Sequence, residues 1–363
     1  MHRRRFLGCR VLLAGLLVTG ACSRGVAVSS APPSQLPTPV TQPATGVSES
    51  DVRRLLGALA DDSMQGRGTA TPGSARAARF IAAELAGYGV QAAGDSGYFQ
   101  RVPVARQPGG KGLSLLPSLA ARDTLPAEAR PAAVNVVGII PGADPALRDQ
   151  VVLVDAHYDH LGLGSAVAGD SIFNGADDDA SGVVAVLEIA RALAAGPPPK
   201  RTVIVAATTG EEVGLLGTRW YIEHPVRPLS AMVANLEIEM IGRPDSLAGG
   251  AGRGWLTGFE RSTMGASFAA AGLPIVADRR LDQDFFMRSD NIAFAQRGIV
   301  AHTLSSYNMH TDYHTLKDDV SHVDFAHMTR LVDVAVRAAR LLADSATKPE
   351  WKPGGKPNAS GRD

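Results

Sequence analysis

The residues best suited to chemistry stand in one short stretch, Asn174-Gly175-Ala176-Asp177-Asp178-Asp179-Ala180-Ser181-Gly182. Three consecutive carboxylates repel one another, so a fold keeps them together only where positive charge offsets the repulsion. The apolar run Val183 to Leu193 follows directly, which implies that the acids open a buried helix at the mouth of a sheet. There the natural positive partner is a metal ion. Other ligand types recur at the ends of apolar runs. Strand 151–156 leads into His157-Tyr158-Asp159-His160, strand 202–208 into Glu211-Glu212, strand 231–238 into Glu239, and strand 299–304 toward His310 and His314. Each feature alone has an ordinary reading. A lone histidine after a strand is usually a hydrogen-bonded structural residue, and paired glutamates at a helix start complement its dipole. Their repetition past the carboxyl ends of successive strands, where open α/β sheets bind ligands, points to one site.

The positioning elements follow from apolar patterning. Val151 to Ala156 is a continuous apolar run of the kind buried on both faces of a sheet. Helices are expected at 181–195, 213–222, 262–271, 289–297 and 325–343, alternating with the strands named above. Upstream, Val52, Leu55, Leu56 and Leu59 recur at helical spacing behind a Ser-x-Ser start, and Thr71-Pro72-Gly73-Ser74 opens a second helix. Residues 62–68 read as a loop, 99–104 and 135–140 as strands, and 106–133 resist assignment. The expected fold is a single α/β domain with a mostly parallel mixed central sheet and helices on both faces.

Composition bounds the partners. The 363 residues carry 36 basic and 36 acidic side chains, so nothing invites a polyanion such as nucleic acid. Met1-His2-Arg3-Arg4-Arg5 and the apolar run from Phe6 to Val18 read as an export signal over 1–22, with an order similar to a twin-arginine signal. Val18-Thr19-Gly20-Ala21-Cys22 looks like a lipobox, which would make Cys22 a lipidated first residue and the protein periplasmic or outer-membrane-tethered; a cleaved, unlipidated signal and a secreted protein are the alternative. Residues 23–47, rich in Pro, Ser and Thr, read as a disordered linker. A single globular domain is expected over 48–345, with a disordered tail at 346–363. With only Cys9 and Cys22 present, no disulfide can form within the mature chain.

Taken together, His157-x-Asp159, the Gly175–Gly182 stretch, Gly210-Glu211-Glu212-x-Gly214-Leu215-x-Gly217-Thr218, Glu239-Met240-Ile241-Gly242-Arg243 and Asp312-Tyr313-His314-Thr315 resemble, in matching order, the cocatalytic zinc aminopeptidases, which include bacterial leucyl aminopeptidases and the glutamate carboxypeptidase type. The resemblance implies a zinc-exopeptidase-like fold with two zinc ions per chain, held by His157, Asp177, Glu212, Glu239 and His314. Asp177 would bridge the ions, with a cis peptide at Asp177-Asp178, and Asp159 would hold the His157 tautomer through its carboxylate. Asp178 and Asp179 would cap the following helix. Glu239 stands where the family commonly has Asp, leaving Glu237 as a competitor; His310 competes with His314 and otherwise contacts substrate beside Tyr313. The implied chemistry is hydrolysis of amino-terminal residues from peptides by a metal-bridging water, with Glu211 as general base. A carboxypeptidase or deacylase on the same scaffold is the alternative, with Arg243, Arg253, Arg279, Arg280 and Arg288 in candidate rim loops. An inactive binding relative is disfavoured, because every ligand position holds a competent residue.

Overall fold

Nine strands of the described residues form one mixed sheet: β1 (Gln91–Ala92), β2 (Phe99–Val102), β3 (Ala133–Ile140), β4 (Val151–His157), β5 (Thr202–Thr208), β6 (Met232–Ile238), β7 (Gly254–Leu256), β8 (Ile275–Ala277) and β9 (Ala301–Ser305). The computed structural model describes residues 45–110 and 112–358, all within the unit Ala44–Asp363. The spatial order is β1-β3-β5-β4-β6-β9-β7-β8, with β2 also pairing β3. The four central strands β5, β4, β6 and β9 run parallel, whereas β3 joins β5, and β7 joins β9, antiparallel.

The period of two explains why the central strands read as unbroken apolar runs. Val152, Val154 and Ala156 face one core, whereas Val151 and Leu153 face another. On the first face lie α1 (Glu49–Leu59), α2 (Pro72–Gly87), α3 (Gly182–Ala195) and, at the chain's end, a long helix over Phe325–Asp344. On the second lie shorter helices, Leu216–Glu223 and Asn291–Gln296. A fully buried Leu or Val contributes about 1.5–3 kcal/mol, so each face adds substantially to the stability of the sheet. The helix starts use the expected caps: Ser48 accepts from Asp51 N, and Thr71 and Ser74 form a reciprocal capping box. No described helix is long and apolar enough to cross a membrane.

Several boundaries differ from the sequence reading. The export signal, Cys22 and residues 23–44 lie outside the described residues. Thr45, within the expected linker, is held to the domain: its Oγ1 donates to Asp333 Oδ1 at 2.5 Å. The expected disordered tail is ordered through residue 358. Lys352 N donates to Arg261 O at 2.9 Å, and Trp351 Nε1 donates to Gly298 O at 3.0 Å. Thr263 and Glu350 exchange further bonds, so backbone pairing and the Trp351 indole dock the segment together. The unassigned region supplies Leu113–Leu115, which pairs antiparallel with Val104–Arg106. Glu211 and Glu212 precede the helix over Leu216–Glu223 rather than forming its first turn, so both are released from helix-end duty.

Candidate metal centre

The parallel register brings the candidate residues to one edge. Asp155 sits beside Ala206, Glu237 beside Asp155 and Thr303, and His157 beside Thr208, so the loops after β4, β5, β6 and β9 converge. Two groups of ligand-type side chains result, each with its atoms within 4.8 Å of one another. One is His157, Asp178 and Glu239; the other is His160, Asp178, Glu212 and His314.

Asp178 belongs to both groups, and Asp177 to neither. Asp178 Oδ1 lies 3.3 Å from His157 Nε2, and Oδ2 lies 3.1 Å from His314 Nε2. Asp177 turns away: its Oδ1 accepts from Gly242 N at 2.7 Å, and its Oδ2 faces His310 Nε2 at 3.1 Å. The geometry therefore corrects the expected bridge by one residue, and the cis peptide is Asp178-Asp179. Asp179 does cap α3, accepting from Gly182 N at 2.9 Å and from Met240 N at 3.1 Å. The triplet's backbone is held by Asp318, whose carboxylate accepts from Asp177 N at 2.9 Å and Asp178 N at 3.0 Å.

The remaining expected residues divide in the same way. His157, Glu212, Glu239 and His314 are brought together. Glu237 instead anchors the start of the 291–296 helix, accepting from Asp290 N and Asn291 N at 3.0 Å each. Asp159 faces His157 Nδ1 through its backbone carbonyl at 3.1 Å, its carboxylate standing at 3.9 Å. The carbonyl thus fixes the tautomer that frees Nε2. The carboxylate accepts from Thr69 Oγ1 at 2.6 Å and from Glu211 N at 3.2 Å, which ties Glu211 to the His157 loop. A cleft of about 540 Å³ opens over Asp178, Glu211 and Glu239, walled by Met240, Trp255, Phe285, Tyr307 and Tyr313. His310 does not line it; its contact with Asp177 replaces the expected substrate contact.

The donor set fits a cation. His157 Nε2, both nitrogens of His160, His314 Nε2 and Glu212 Oε1 are buried without hydrogen-bond partners, a costly arrangement unless another partner satisfies them. Burial disfavours charge on His314, yet Asp178 and Glu212 push its pKa up to about 10, so the surrounding carboxylates call for positive charge there. Burial alone would raise the Asp178 carboxyl, but His160, His157 and His314 hold it well below the usual range. Burial pushes Glu211 well above its ordinary value; His157 opposes this, and Glu239, Asp290 and Glu212 add to it.

Two residues had gone unassigned. His160, in plain view beside Asp159, lay beyond the matching motif. Arg67, in what read as a simple loop, is fully buried. It donates to the carbonyls of Leu59 (2.9 Å), Tyr158 (2.8 Å), Asn174 (2.5 Å) and Gly175 (2.8 Å). Burial disfavours its charge, but Asp318, Asp178, Asp179 and Asp159 favour it; it is the positive charge set behind the acidic triplet. Arg67→Met should destabilise the fold by about 3 kcal/mol, because several buried carbonyls lose their donor. Urea unfolding measures this, and an unchanged midpoint would contradict the clamp.

A model described as peptidase family M28 matches residues 135–339. The chain is 28% identical over 220 residues to a vacuolar membrane protease of Talaromyces marneffei, covering 59% of this chain and 21% of that protein. It is 26% identical over 222 residues to aminopeptidase YwaD of Bacillus subtilis, covering 60% of this chain and 46% of that protein. It thus spans less than half the length of these relatives. The structure of BSAP, a zinc aminopeptidase from Bacillus subtilis, superposes with a TM-score of 0.60 at 15% identity, over 84% of this chain and 97% of that one, a likeness of fold. The periplasmic or outer-membrane location expected from residues 1–22 does not stand against these relatives, since several fungal ones are named for a vacuolar membrane. The matched span contains every strand end that carries a candidate ligand, and the chain belongs to peptidase family M28.

Proposed function

We propose that this protein is a zinc-dependent exopeptidase that removes residues from the amino termini of peptides, using two zinc ions. The observation that carries the reading is Asp178. Its two oxygens face His157 on one side and His314 on the other, beside a Glu211 that belongs to neither ligand group. The similar proteins named as aminopeptidases support it. His157, Asp178 and Glu239 would hold one ion, and Asp178, Glu212 and His314 the other.

Zinc at these atoms would polarise the scissile carbonyl and lower the pKa of the attacking water. Glu211 accepts that water's proton and passes it to the departing amine. Two adjacent glutamates serve two tasks: Glu212 is turned to the ligand group, while Glu211 faces the cleft, its backbone held by Asp159. Asp178, Glu211 and Glu239 line the cleft, which puts the ligand groups and the proposed base where the scissile bond of a bound peptide would lie. The aromatic walls, with Tyr313 among them, accept the side chain of the residue to be released.

The cations argue against a carboxypeptidase. Arg243 is engaged by Asp312 at 2.7 Å, Arg280 by Asp245 at 2.6 Å, and Arg253 donates to Ala248 O at 2.9 Å. Of the five candidate arginines only Arg288 lines the cleft, at its exposed rim over the Phe285 ring. The purified protein is expected to hydrolyse aminoacyl-anilides and to leave amino-blocked peptides intact, with loss of activity on chelation. Cleavage of blocked peptides while free amino termini are ignored would overturn the proposal.

A further inference from the structure

We infer that His160 is a fourth protein ligand, so that one zinc is enclosed by His160, Asp178, Glu212 and His314 while its neighbour, on His157, Asp178 and Glu239, keeps the open position. This rests on the two-metal reading above. The imidazole of His160 is 1% exposed, and neither of its nitrogens has a hydrogen-bond partner. Nδ1 lies 2.8 Å from Glu212 Oε1, but both atoms remain unpartnered: the approach is close without the alignment a hydrogen bond needs. Two ligand-type atoms held this close, buried and left without a bond are what a shared cation would satisfy. The other distances agree, with His160 Nδ1 3.7 Å from Asp178 Oδ2, and His314 Nε2 3.1 Å from Asp178 Oδ2 and 3.3 Å from Glu212 Oε2. Ligands about 2.0–2.2 Å from a tetrahedral zinc stand roughly 3.3–3.6 Å apart.

The backbone makes room for this ring. A Cβ at Gly175 would come within 2.5 Å of His160 Cγ and Cδ2, and Gly175 holds φ at +57°. The glycine that starts the acidic stretch therefore also admits the imidazole. Ligand number then separates the two positions. Zinc with four protein ligands is closed and retentive, whereas three protein ligands leave a place for water or substrate. The aromatic-walled cleft opens over Asp178, Glu211 and Glu239, whereas His160 and Glu212 border a separate cavity beside Gln65 and Leu161, so the cleft that would take substrate reaches the three-ligand group.

The full chain, stripped by chelator and titrated with Zn2+ against a chromophoric chelator, should bind two ions in steps of unequal affinity. His160→Ala should weaken the tight step at least about 100-fold and leave the weaker step within about threefold, and Glu239→Ala should do the reverse. At one zinc per chain, X-ray absorption should count two imidazoles on the metal in the wild type and one in His160→Ala. A tight step unmoved by His160→Ala, or a single imidazole in the wild type, would overturn the assignment. If His160→Ala fails to fold, the wild-type imidazole count decides. A wild type that binds only one zinc would sink the two-metal reading, while the imidazole count on that zinc would still judge His160.

Discussion

Glu211→Gln is expected to lower kcat on a free-amino substrate by about 10²–10⁴-fold while zinc content and thermal unfolding stay at wild-type values. The amide keeps the shape of the side chain and leaves the backbone bond from Glu211 N to Asp159 untouched, but it cannot take a proton from water. Glu211 stands in the cleft beside Asp178 and Glu239 and outside both ligand groups, so its loss should reach the rate and not the metal. Turnover within about tenfold of wild type would remove it as the base. Loss of zinc in the same variant would instead make it a ligand.

Asp178→Asn and Asp177→Asn should part company sharply. The first weakens both groups at once, because Asp178 alone is shared. Zinc content should fall for both positions, and activity by more than about 10³-fold, since the metals supply several kcal/mol of transition-state stabilisation. Asparagine at 177 can still accept from Gly242 N and loses only charge toward His310 and Arg243, so its metal content should hold. Metal analysis of the two purified variants makes the comparison. The opposite pattern would restore Asp177 as the bridge.

The strength and limits of the sequence reading have a common physical basis. Runs such as Val151 to Ala156 and Thr202 to Thr208 are buried on both faces, so their apolar character marks strands without tertiary knowledge, and their ends mark the edge where chemistry gathers. His157, Glu211, Glu212 and Glu239 were legible because each stands at a strand's end or within four residues past it. The choice within the triplet was not. Three adjacent carboxylates are equivalent locally, and their orientations are set by Gly242, His310 and Asp318, all more than 60 positions away. His310 was misread for the same reason, its partner being the carboxylate that the triplet turned aside. Arg67 gave no signal because its partners are backbone carbonyls, which every sequence has everywhere.

The Arg67 clamp also bears on where the working unit of this chain begins. The family match starts at residue 135, and every candidate ligand lies after it. Yet the 157–160 and 174–178 loops hang from a guanidinium supplied by the loop between α1 and α2. A fragment cut at 135, or a graft of the ligand loops onto another scaffold, would bring every ligand and leave buried carbonyls of both loops without their donor. The smallest transplantable form of the site is therefore set by a hydrogen-bond donor outside both ligand groups, and it reaches back at least to Arg67.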